Sequence, residues 1–157
     1  MIRISAACAA LFAFCVPAFA ADILIQDANS SPESLTVAPD GDLVVGSASS
    51  PFVYKVKKGA SAAEKFIDVS AEGPGTSFLG QLADGGTLWT CQLTPVPGAT
   101  PVQRHSALRG FDIKTGKEKL RWTLPGDNSI CNDFSVGPDK ALYISDTGNA
   151  RIYRLAP

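Results

Sequence analysis

Asn132 and Asp133 stand where a strand should begin. The apolar residues 134–136 follow them directly, and a strand packed in a sheet would normally open on something apolar. An amide and a carboxylate in that position have two uses. They satisfy turn backbone groups as Asx caps, or they carry chemistry, and this pair is where chemistry is expected. A further carboxylate, Glu33, precedes another apolar run, residues 35–38. Taken alone it reads as a loop residue.

Other reactive side chains offer less. The single histidine, His105, falls beside Arg104 in what reads as a polar loop over residues 94–106. No acid or nucleophile pairs with it locally, so a solvated surface role is expected rather than general base work. Ser145-Asp146-Thr147 resembles a hydrogen-bonding cluster at a strand end, structural in character. Trp89 and Trp122 lie on expected strands and suit packing better than ligand stacking. The sequence holds no nucleophile elbow, zinc helix motif, phosphate loop or dinucleotide fingerprint.

The elements that must position these residues are strands. From Asp22 onward, short apolar runs alternate with turn residues, and no helical period of useful length appears. A short strand is expected at residues 23–25. Residues 35–38, Pro39-Asp40-Gly41-Asp42 and residues 43–46 then form a strand, turn and strand, followed by strands at 52–56 and 65–69. The unit returns as residues 78–83, Asp84-Gly85-Gly86 and residues 87–91, with further strands at 108–112 and 119–123. It returns again as residues 134–136, Gly137-Pro138-Asp139-Lys140 and residues 142–146, closed by 151–155. Leu43, Leu88 and Leu142 mark equivalent places, a period of about fifty residues that fits β-propeller blades of three or four antiparallel strands. A sandwich would not predict the recurring strand, turn with aspartate, strand unit. The expected fold is therefore all-β, with about three propeller blades over residues 21–157.

Blades bury their faces only against neighbouring blades, and a ring needs about 4 to 8 of them. Residues 21–157 are thus expected to be the N-terminal half of a longer protein, or one of two copies that associate to complete a ring. Residues 1–20 read as a secretory signal peptide: Arg3, an apolar run over 4–14, then Pro17-Ala18-Phe19-Ala20-Ala21 with cleavage after Ala20. The run is too short to span a bilayer, which takes about 20 apolar residues. The expected location is periplasmic or extracellular, with no membrane attachment after cleavage. With 14 Lys and Arg against 15 Asp and Glu and no basic cluster, there is no electrostatic footprint for nucleic acid. In an exported chain Cys91 and Cys131 could form a disulfide. They could equally be small core hydrophobes.

Several strings together carry a family resemblance. Pro32-Glu33-Ser34-Leu35, Leu79-Gly80 with Leu88-Trp89-Thr90-Cys91, Phe111-Asp112-Ile113-Lys114-Thr115-Gly116, and Cys131-Asn132-Asp133 with Tyr143-Ile144-Ser145-Asp146-Thr147 resemble the calcium-dependent six-bladed propellers. That superfamily includes gluconolactonase and senescence-marker proteins, diisopropyl fluorophosphatase and, more distantly, serum paraoxonase and strictosidine synthase. The match is nearest to secreted gluconolactonase-like proteins and covers the first half of that fold. The resemblance implies a divalent ion, usually calcium, on the propeller axis. Glu33 and Asn132 match metal ligands, and Asp133 matches the neighbouring aspartate and becomes the candidate catalytic residue. Calcium takes 6 to 8 hard oxygens, which carboxylates and amide carbonyls supply. The remaining ligands of the family come from later blades, so calcium affinity in this chain alone should be poor. Gly80 and Gln81 stand in the second blade where part of the family has a substrate-contacting asparagine. The implied activity is metal-dependent hydrolysis of lactones or related esters as small-molecule substrates. The alternative is a non-catalytic exported propeller that binds a ligand or serves as a scaffold.

Overall fold

A computed structural model describes residues 21–157, and the expected signal peptide lies outside the described residues. Three antiparallel sheets follow one another along the chain, each a meander whose spatial order is its sequence order. Blade 1 comprises β1 (Pro32–Val37), β2 (Leu43–Ser47), β3 (Phe52–Val56) and β4 (Glu64–Asp68). Blade 2 comprises β5 (Ser77–Asp84), β6 (Thr87–Pro95), β7 (Arg104–Asp112) and β8 (Glu118–Thr123). Blade 3 has three strands, β9 (Cys131–Val136), β10 (Leu142–Asp146) and β11 (Arg151–Leu155). A single 3-10 turn, Ser70–Glu72, connects blades 1 and 2.

Turn chemistry sets the hairpins. Gly85 and Gly86 both have positive φ, 53° and 78°, as a two-residue type I′ turn between paired Asp84 and Thr87 requires. In the first blade the Asp40 carboxylate accepts the Asp42 amide at 3.1 Å, and in the third the Lys140 amide closes on the Gly137 carbonyl at 2.9 Å.

The inner strands β1, β5 and β9 run side by side through the arc. The Ser34 hydroxyl accepts the Gln81 amide, and the Thr36 hydroxyl accepts the Ala83 amide, each at 3.0 Å. These bonds tie β1 to β5 without a backbone ladder. Each blade buries one face against the next. Val44, Val53, Phe78, Leu88 and Phe111 form the core between blades 1 and 2. Leu108, Phe134, Leu142 and Ile144 form the core between blades 2 and 3, with Trp89 and Trp122 packed against it. Trp122 meets Tyr153 edge to face at 5.2 Å, so both tryptophans serve packing. Cys91 and Cys131 form a disulfide, fully buried, that joins β6 to β9.

Three expectations need correction. Residues 23–25 are not a strand: Leu24 makes one isolated parallel bridge to Ala62. The long loop expected over 94–106 is a shorter one, because β6 runs to Pro95 and β7 starts at Arg104. His105 is therefore a strand residue paired with Thr94. A proline at the last position of a strand forfeits no ladder bond further on, so it ends β6 without shortening it. Lastly, Asn132 and Asp133 lie within β9, and Glu33 within β1, rather than ahead of them, because each bulge keeps its polar residues inside the paired strand.

Candidate metal and catalytic centre

All three inner strands carry an irregularity near their N-terminal ends. In β1, Pro32 pairs with Ser47 and Leu35 with Val45, so Glu33 and Ser34 together face Gly46. In β5, Phe78 pairs with Gln92 and Gln81 with Thr90, so Leu79 and Gly80 face Cys91. In β9, Cys131 pairs with Asp146 and Asp133 with Ser145, which leaves Asn132 as the extra residue. A β-bulge frees one residue from the ladder, bends the strand and re-aims a side chain. Glu33 and Asn132, two of the residues singled out in the sequence, thus occupy equivalent bulges two blades apart.

Electrostatics couples the first and third of these strands. Partial desolvation, and then the negative charge of Asp133, push the Glu33 carboxyl above the ordinary carboxylate range. The Asp133 charge is thus felt at Glu33, across β5, which lies between their strands. Blade 2 makes room for β9. A Cβ on Gly80 would lie 2.9 Å from the Asn132 carbonyl oxygen, from Asp133 Cα and from Asp133 Oδ1. Only a residue without a side chain lets β9 sit this close to β5. Ser145 fixes the strand from the other side: its hydroxyl accepts the Asp133 amide at 3.1 Å and donates to the Asp133 carbonyl at 3.0 Å. Asp133 Oδ1 accepts the Phe134 amide at 2.9 Å.

The donor set is two carboxylates and one amide, all hard oxygens of the kind calcium takes. The chemistry of these donors fits a divalent cation. Among the described residues no three His, Cys, Asp or Glu side chains come together as a metal-ligating group. The set is accordingly a partial one.

Gln81, expected only as a departure from the family pattern, has a structural place of its own. It is buried, and its Nε2 donates to the Leu79 carbonyl at 2.9 Å and the Thr90 hydroxyl at 2.5 Å. Its Oε1 is the one buried side-chain polar atom without a partner among the described residues. The Ser145-Asp146-Thr147 segment behaves as a strand-end cluster. Burial alone would raise the Asp146 carboxyl, but bonds from the Ile130 amide and the Asn149 side chain and amide bring it below the ordinary range. His105 lies on the outer part of blade 2, on β7, away from the Glu33 and Asp133 carboxylates' strands. Gly80 and Ser145 are the residues that sequence reasoning missed as parts of the site. The signal for Gly80 was present, a glycine inside an expected strand, but its meaning depends on which strand passes beside it.

No family model and no curated protein matches the chain. Among solved structures the chain is similar to a catalytically inactive virginiamycin B lyase from Staphylococcus aureus, solved with quinupristin. The TM-score is 0.46 and the identity 12%, over 83% of this chain and 54% of that one. This chain spans about half the length of that protein.

Proposed function

We propose that this chain belongs to an exported, metal-dependent hydrolase of lactones or related esters. A divalent ion, calcium by the chemistry of the donors, would be held by Glu33 and Asn132 with Asp133 beside them. The observation that carries this reading is the placement of Glu33 and Asn132 on equivalent bulges of inner strands, with Asp133 held close against Gly80 of the strand between them. When bound, the ion would polarise a substrate carbonyl as a Lewis acid. Glu33 would orient as a ligand from its bulge, and the Asn132 amide oxygen would face it from β9. Asp133 Oδ1 is engaged by the Phe134 amide, which leaves Oδ2 to take a proton from an attacking water. Three donors are fewer than calcium's usual set. We propose that the others come from water and from further blades, in a longer protein or a second copy. The buried Cys91–Cys131 bridge supports export, since disulfides persist in oxidising compartments.

The test pairs binding with turnover in the full-length protein. Calcium should raise the melting temperature saturably, and lactone hydrolysis should depend on added metal. Asn132→Ala should abolish both. Unchanged turnover in that variant would sink the assignment. A second reading is a non-catalytic exported module that binds a ligand or serves as a scaffold. It predicts no hydrolysis of any lactone with calcium, manganese, cobalt or zinc present, but a saturable thermal shift with some ligand.

A further inference from the structure

The side of blade 2 that carries Arg109 bears a cleft of about 400 Å³, lined by Glu72, Gln92, Thr94, His105, Arg121 and Thr123. Strand register explains why these residues meet. Thr94 pairs with His105, Gln92 with Ala107, Ala107 with Thr123, and Arg109 with Arg121. Alternate residues of β6, β7 and β8 therefore project from one face. Ala107, small and central, forms the floor, and the longer polar side chains stand around it. Glu72 comes from the 3-10 turn between blades and closes one side.

We propose that this cleft is a second ligand site, separate from the Glu33 and Asn132 centre, that takes a small neutral polyhydroxylated molecule. The rim is held by a buried network. Gln92 is only 3% exposed, and its amide donates to Glu72 at 2.6 Å and to Thr94 at 2.9 Å while it accepts from Arg109. Arg109, 2% exposed, also bridges Glu72 and Glu118, each at 2.8 Å. Arg121 binds the same two acids from the surface. Two guanidinium groups and two carboxylates thus neutralise one another. A charged ligand would have to break these pairs, so charge closure selects a neutral one. The rim still offers an acceptor in Glu72, a donor in Arg121, and hydroxyl and imidazole groups that do either. Sugar and polyol hydroxyls, each donor and acceptor at once, match that mixture. The volume falls within the usual 300–1,000 Å³ of small-molecule pockets.

His105 is the single histidine of the chain, so its imidazole proton signals report on the cleft without assignment. This 157-residue chain would be titrated with glucose and with sorbitol, and separately with acetate and glycine, while these signals are followed by NMR. Saturable shifts with a polyol are expected, absent with the charged compounds and retained in Asn132→Ala. They should vanish in Ala107→Trp, which fills the floor, and weaken at least threefold in affinity in Thr94→Val, which keeps shape and removes a hydroxyl. Absence of a saturable shift with either polyol overturns the proposal. So does a shift that persists unchanged in Ala107→Trp or Thr94→Val, a response to acetate or glycine alone, or loss of binding in Asn132→Ala. Should Ala107→Trp fail to fold, Thr94→Val decides. Because the readout involves neither metal nor turnover, failure here leaves the hydrolase reading standing, and the reverse.

Discussion

Between blades 1 and 2, an apolar core of Val44, Val53, Phe78 and Leu88 gives way to buried polar residues: Gln81, Thr90, Gln92, Thr76 and Arg109. Between blades 2 and 3 the buried residues are Leu108, Phe134, Leu142 and Ile144, and a disulfide crosses the seam. The Ser106 hydroxyl, which accepts the Cys131 amide at 2.6 Å, is a polar contact within it. Both seams hold neighbouring blades of one arc, yet they hold different parts of the candidate centre. The covalent, apolar seam fixes β9, with Asn132 immediately after the bridged Cys131. The hydrogen-bonded seam fixes β1, with Glu33 next to Ser34, which accepts the Gln81 amide. Directional bonds tolerate solvent and charge changes less well than apolar burial does, so the two sides of one site should respond differently to the same perturbation.

Removing the centre of the polar seam should give the largest effect. Arg109→Met leaves Glu72, Glu118 and Gln92 without their buried cation, and breaking such a network costs about 3–5 kcal/mol. Urea unfolding should show this loss, and adding Glu72→Gln and Glu118→Gln should restore much of it. An unrestored loss would mean that Arg109 acts by packing on Phe111, which its guanidinium overlies at 4.8 Å. The same network sets an acid limit. Partial burial would raise Glu72 and Glu118, but bonds from Arg121 with Gln92 or Arg109 bring both below the ordinary carboxylate range. Depressed carboxyls contribute stability that is full above their unfolded value and lost as pH falls through the folded one. Melting temperature should therefore drop below the ordinary carboxylate range, and less steeply in Arg109→Met.

The covalent seam should come next. Cys91→Ser with Cys131→Ser removes a bridge between residues 40 apart, worth about 2–4 kcal/mol on loop-closure grounds. Unlike Arg109→Met, the loss should be independent of pH between about 3 and 7, because no carboxylate is involved. An equal pH dependence in both variants would erase the contrast between the seams.

How much of this was legible follows from what each feature depends on. The blades were, because strand, turn and strand repeat with a fixed period, and Gly85-Gly86 or Asp40-Gly41 dictates its turn locally. The strand bearing Asn132 and Asp133 was misjudged by its first three residues, because polar side chains at a bulge leave no alternation to follow. Pro95 and the small residues after it imitated a long loop where pairing in fact runs from Thr94 to His105. The charged face of blade 2 was hidden for a different reason. Glu72, Arg109, Glu118 and Arg121 are scattered along the chain and meet only through the register of β7 with β8 and the placing of the 3-10 turn against them. Gly80 could be read as a departure from the family's asparagine, but not as the clearance for Asp133, which depends on a strand about fifty residues away.

That clearance supplies a smaller test. Gly80→Ala places a carbon 2.9 Å from backbone and carboxylate atoms of β9, so a strand must shift. Overpacking of this kind costs about 1–3 kcal/mol. If the cost is met by moving β9, calcium stabilisation should fall with it. Full calcium stabilisation in a folded Gly80→Ala protein would argue that Asn132 and Asp133 need not approach blade 2.

The smallest effect is expected at Glu33, and it has the opposite sign. Its carboxyl is raised by desolvation and by Asp133, so its charged form is disfavoured in the folded protein. A raised carboxyl contributes stability that is present below its unfolded value and lost as pH rises through the folded one. Without metal at neutral pH, Glu33→Gln should thus stabilise the protein slightly. For an exposed position the change stays within about 0.5 kcal/mol, or about 1–2 °C in melting temperature. With saturating calcium the order should reverse, because the substitution removes a ligand and wild type gains more. A variant that is more stable than wild type both with and without calcium would place Glu33 outside the metal site, leaving it a repelled surface acid beside Asp133.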